Sequence, residues 1–73
     1  MNNQDLKNLR EDLMAELKAI NDYQVHIDAT QDGKIKEVLG HIRDDEKEHF
    51  AELTKLIREL DEVENEKFKK EEL

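Results

Sequence analysis

Two acids and a histidine stand where this sequence would be expected to carry leucines. Glu46 and His49 lie three residues apart within Arg43-Asp44-Asp45-Glu46-Lys47-Glu48-His49-Phe50, and both fall on the apolar stripe of a long helical pattern. Glu16 is the only charge in the corresponding stripe of the preceding pattern. Taking a carboxylate or an imidazole out of water is costly unless it finds a partner. Carboxylate oxygens and imidazole nitrogens are ligands for divalent first-row metals, so a metal ion is the partner these residue types suggest. One polar residue on a helix seam more often fixes register than binds anything. Three at one level of a structure point to chemistry instead.

The elements that must position them can be read from the spacing of apolar residues. Leu6, Leu9, Leu13, Glu16, Ile20, Tyr23 and Ile27 recur at three-and-four spacing, with Leu17 widening the face, which predicts an amphipathic helix. Asn2 or Asn3 is positioned to cap it, and Asp5 in the first turn suits the helix dipole. Thr30-Gln31-Asp32-Gly33 is the break, with Asp32 as the N-cap of the next helix and Gly33 expected to ease a tight turn. A second helix is predicted from Lys34 to at least Leu60, with a seam of Ile35, Leu39, Ile42, Glu46, His49, Leu53, Leu56, Leu60 and Val63. Phe50 and Ile57 flank that seam. Residues 1–63 thus read as one helical hairpin, and residues 64–73 as a charged tail that extends the helix or frays. So short a connection makes the helices antiparallel. Folding about Asp32 sets position i opposite roughly 64 minus i, because both helices rise equally per residue. Glu16 then faces residue 48, between Glu46 and His49.

Composition bounds the function. A chain of 73 residues makes one small domain that buries little apolar surface unaided. A net charge of −8 disfavours nucleic acid and anionic membrane as partners and favours cations. The absence of Cys excludes disulfides and thiolate metal sites. With no apolar run of spanning length and no signal-peptide start, the reading is a soluble, cytosolic protein of a prokaryote. His26 and His41 fall off the seams and read as surface histidines. Glu11, Asp12, Asp44, Asp45 and Glu48 read as a solvated acidic face able to draw in cations.

A single hairpin leaves its apolar face uncovered. The fold class expected is therefore all-α: an antiparallel two-helix hairpin that dimerises into a four-helix bundle. A two-fold axis would assemble Glu16, Glu46 and His49 from each chain, the ligand set of di-iron carboxylate bundles. Four carboxylates offset two divalent cations, and without metal their mutual repulsion should favour proton uptake. Tyr23 lies roughly 10 Å from Glu16 along the helix axis. It reads equally as a hydrogen-bond partner of a ligand and as a plain core aromatic.

Three runs carry a resemblance to a known family: Ala15-Glu16-Leu17-Lys18-Ala19-Ile20-Asn21-Asp22-Tyr23, Asp28-Ala29-Thr30-Gln31-Asp32, and His41-Ile42-Arg43-Asp44-Asp45-Glu46-Lys47-Glu48-His49. Across residues 11 to 60 the chain resembles the encapsulated ferritins, ferritin-like cargo proteins of encapsulin nanocompartments. The resemblance implies a ferroxidase centre at a dimer interface and a ring-shaped homodecamer. It also implies a place in the bacterial or archaeal cytoplasm inside an encapsulin shell. Glu16, Glu46 and His49 match the metal ligands, and Tyr23 an aromatic close to the centre. Iron is the implied metal, as a di-iron centre, with manganese, zinc or calcium able to substitute. Asp22 stands where relatives can carry Trp, and Ala15 and Lys18 where some carry acids of an outer metal site. The tail holds no small hydrophobic docking peptide, the pattern of a shortened chain or of a domain fused to its shell. Two other readings stand beside ferroxidase activity. One is a rubrerythrin-like di-iron peroxide scavenger; the other is a structural or adaptor hairpin whose seam acids only fix register.

Overall fold

A computed structural model of the chain describes residues 3–73, which form three helices and, among the described residues, no strand. Helix α1 spans Asn3–Ala29 and helix α2 spans Gly33–Leu60, packed along each other as an antiparallel pair. Helix α3, Glu62–Lys70, is a short third element. Asn3 is already helical rather than a cap, and Asn2 lies outside the described residues.

The turn works as its sequence predicts, with one difference. Asp32 adopts an extended backbone and its carboxylate accepts from the amides of Lys34 and Ile35 at 2.9 and 3.0 Å. That satisfies two of the donors a helix start leaves open. The Thr30 hydroxyl accepts from the Asp32 amide, and the Lys36 ammonium reaches back across the turn to the Ile27 carbonyl at 3.1 Å. Gly33 is the first residue of α2 and has no positive φ, so its expected conformational freedom is not used. The cap and the contacts of Thr30 and Lys36 shape the turn without it.

At the far end the structure departs from the predicted continuation of the second seam. Helix α2 stops at Leu60, Asp61 takes an extended conformation (φ −117°, ψ 98°), and its carboxylate caps α3 by accepting from the Glu64 amide. Val63, expected on the α2 seam, is in α3 and 69% exposed. The tail neither prolongs α2 nor frays, because side chains of α2 hold it. The Arg58 guanidinium donates to Asn65 Oδ1 at 2.9 Å and to the Leu73 carbonyl at 3.1 Å, and lies over the Phe68 ring at 4.5 Å. Arg10 of α1 pairs with Asp61 and approaches Glu64 at 3.8 Å.

The molecule measures 45 × 28 × 14 Å, barely more than one helix in thickness. Ile57, 1% exposed, is the only fully buried side chain among the described residues. Most seam residues are half-buried, while Met14, Leu17, Ile35, Val38 and Leu56 remain exposed. Among the described residues, no helix is long and apolar enough to cross a membrane.

Candidate metal centre

The helices deliver the three seam-breaking residues to one place. Glu46 and His49 are one turn apart on α2, where i, i+3 side chains share a face. Their nearest atoms, Glu46 Oε2 and His49 Nδ1, are 3.4 Å apart. Glu16 comes from α1, with its Oε2 3.5 Å from the same nitrogen. One donor atom from each residue lies within 4.8 Å of the other two. The carboxylates are mostly covered, 23% and 20% exposed for Glu16 and Glu46, whereas His49 is 50% exposed.

These spacings identify what kind of cluster this is. Both contacts exceed the 2.7–3.2 Å of an ordinary N–H···O hydrogen bond. Glu16 Oε2 is buried with no hydrogen-bond partner, which normally costs about 1–3 kcal/mol. The three donors are therefore close without satisfying one another. Ligands about 2.0–2.2 Å from a shared tetrahedral cation stand roughly 3.4 Å apart. The residues fit a divalent metal ion by donor type, by spacing, and by the orphaned oxygen an ion would satisfy.

The other residues singled out by their types and spacing lie outside this cluster. Tyr23 is half-buried on α1, and among the described residues no hydrogen bond joins it to Glu16, Glu46 or His49. His26 and His41 are exposed and outside the cluster. Asp44 is engaged by its neighbours. The Arg43 side chain, hydrogen-bonded at 3.1 Å, and Lys47 hold its carboxyl below the usual 3.8. A groove of about 500 Å³ opens beside Glu16 and His49, bordered by Asp12, Glu52, Leu53 and Leu56. Glu52 did not emerge from the sequence because it lies off the seam. Its position three residues beyond His49, on the same side of the helix, was the available signal.

The profile of the EncFtn-like family matches residues 1–72, nearly the whole chain. The chain belongs to the EncFtn-like family. Two curated relatives illustrate the kinship. The encapsulin nanocompartment cargo protein EncC of Myxococcus xanthus is 46% identical over 55 residues, which is 75% of this chain and 42% of the relative. The encapsulated ferritin-like protein of Rhodospirillum rubrum is 39% identical over 49 residues, 67% of this chain and 35% of the relative. The chain thus spans well under half the length of these relatives. No solved structure matches it. The EncFtn-like assignment agrees with the resemblance drawn from Glu16, Glu46, His49 and the residues around them.

Proposed function

We propose that this chain is a ferroxidase of the encapsulated-ferritin type, oxidising Fe(II) to Fe(III) for iron storage and detoxification. The observation that carries this reading is the Glu16–Glu46–His49 cluster with its orphaned buried oxygen, in a chain of the EncFtn-like family. A second copy, related by a two-fold axis, covers the exposed apolar side chains and completes a four-helix bundle. Each chain supplies Glu16, Glu46 and His49, so four carboxylates and two imidazoles surround two ferrous ions as substrate. The carboxylates neutralise the incoming charge, and the half-exposed imidazole of His49 is the ligand nearest to solvent.

Each of the two ferrous ions gives up one electron. Dioxygen takes the pair with two protons and leaves as hydrogen peroxide, or peroxide takes it with two protons and leaves as two waters. The ferric product then moves off the site. Relatives named as encapsulin nanocompartment cargo support a shell-enclosed setting for this chain, and the ring-shaped homodecamer in a prokaryotic cytoplasm is our further proposal for how it assembles there. Stopped-flow measurement of Fe(III) formation tests the assignment. Glu46→Ala and His49→Ala should each abolish the fast phase, and wild-type rates in both variants reject the ferroxidase reading.

A further inference from the structure

We infer that Gln24 and Arg43 are positioning residues for the metal cluster, a polar lock that sets the axial register of α1 against α2. The inference rests on the metal-binding reading of Glu16, Glu46 and His49 and extends it to residues that touch no metal. The cluster is built from two kinds of contact. Glu46 and His49 share a helix turn, so their separation is fixed by helix geometry whatever the rest of the chain does. Glu16 belongs to the other helix, and its 3.5 Å approach to His49 exists only while α1 and α2 keep one alignment.

Apolar packing alone holds that alignment weakly, because burial is non-directional and leucine faces can slide. Metal ligation is far less forgiving. Ligand distances are held to about ±0.2 Å, whereas a slip of one residue along a helix is about 1.5 Å. A directional contact near the cluster is required. Arg43 supplies it, with Nη1 donating to Gln24 Oε1 across the helices at 2.8 Å in a part-buried setting. The same guanidinium is tied to Asp44 on its own helix, so it has little freedom to wander. Arg43 lies three residues, about one turn, from Glu46.

The other cross-links serve different places. Lys36 bonds the Ile27 carbonyl at the turn. Arg10 pairs with Asp61 at the hinge into α3, twelve residues beyond His49. The Arg43 side chain is also better shielded than Arg10, at 23% against 44% exposed. A charge-assisted hydrogen bond keeps more of its strength where water is scarcer. The Gln24 amide is therefore the acceptor through which the metal ligands of α2 are held level with Glu16.

The test is an equilibrium titration of the full chain with Co(II), followed by its visible absorption, at ionic strength high enough to screen added surface charge. Gln24→Ala removes the acceptor while keeping a strong helix former. It should weaken Co(II) binding on the order of tenfold, a loss of roughly 1.4 kcal/mol. Gln24→Glu retains the acceptor oxygen for Arg43, gives up only the Nε2 donation to Asp28 on its own helix, and should bind within about twofold of wild type, a difference worth roughly 0.4 kcal/mol or less. Circular dichroism establishes that both variants are helical. Lys36→Met, which has no donor for the Ile27 carbonyl and so cuts the link at the turn, should leave affinity unchanged. Equal affinity in Gln24→Ala and wild type overturns the lock, as does an equal loss in Gln24→Ala and Gln24→Glu. Wild-type protein that binds no Co(II) overturns the metal reading itself, so the two failures are told apart.

Discussion

The corner where α2 meets α3 and the middle of the hairpin treat polar side chains in opposite ways. At the corner, next in sequence to the fully buried Ile57, Arg58 is satisfied by an amide oxygen, a backbone carbonyl and an aromatic face. In the middle, Glu16 keeps a buried oxygen with no hydrogen-bond partner, and the contacts of His49 are too long for good hydrogen bonds. Both regions draw on α2 and lie within a few turns of each other along it. The corner is finished by its own chain. The middle leaves a buried oxygen unsatisfied by its own chain, the need that the proposed metal ion would meet.

Four measurements break or sharpen that contrast. The largest effect is expected at the corner, where Ile57→Ala should cost about 2–5 kcal/mol in urea unfolding of metal-free protein. The folded fraction should still bind metal. Glu16→Leu should have the opposite sign, raising metal-free stability by about 1–3 kcal/mol because it removes an unsatisfied buried oxygen. It should also abolish any change in oligomeric mass on adding Fe(II). If Glu16→Leu is instead destabilising without metal, the middle is not held open for an ion and the contrast fails.

A smaller effect is expected at Gly33, where an added Cβ meets nothing within 4 Å and φ is not positive. Gly33→Ala should raise the midpoint of thermal unfolding, by about 0.5 kcal/mol in free energy. The smallest belongs to Asp61, whose partners are partly exposed and therefore screened. The Glu64 amide, ahead of Arg10, holds the Asp61 carboxyl below its ordinary 3.8. The unfolded chain binds that proton more readily, so this contribution to stability is present above pH 3.8 and is lost as pH falls through the lowered value. Hydrogen-exchange protection along α3, taken relative to the intrinsic exchange rate at each pH, should fall over that acid range. Asp61→Asn, which keeps the cap but has no titrating group, should flatten the response.

The hairpin and the triad were legible in the sequence because the information is local or simply periodic. Asp32 announces a helix start by itself. Helix rise on either side of Asp32 brings Glu16 roughly level with Glu46 and His49, through the repeat of Leu9, Leu13, Ile20 and Ile27 against Leu39, Ile42, Leu53 and Leu60; only the finer alignment calls on the Arg43–Gln24 contact. The break at Asp61 was not legible, since Leu60 and Val63 continue the period and neither Gly nor Pro interrupts it. A cap followed by Glu62 and Glu64 was the local hint of a new helix start. What decides the matter is non-local: Arg10 reaches Asp61 across 51 positions, and Arg58 gathers Asn65, Phe68 and Leu73. Gly33 misled in the other direction, because the cap left its backbone freedom unneeded.

A body 14 Å thick is a slab with two broad sides and almost no depth. With Ile57 as its one wholly sheltered side chain among the described residues, it keeps little cohesion in reserve for a copy on its own. If a twin supplies the missing layer, resistance to melting rises with the amount of protein per volume, as for any chain drawn off into complexes when folded. Dilution then acts like a denaturant, and gathering many copies into a small space keeps them intact.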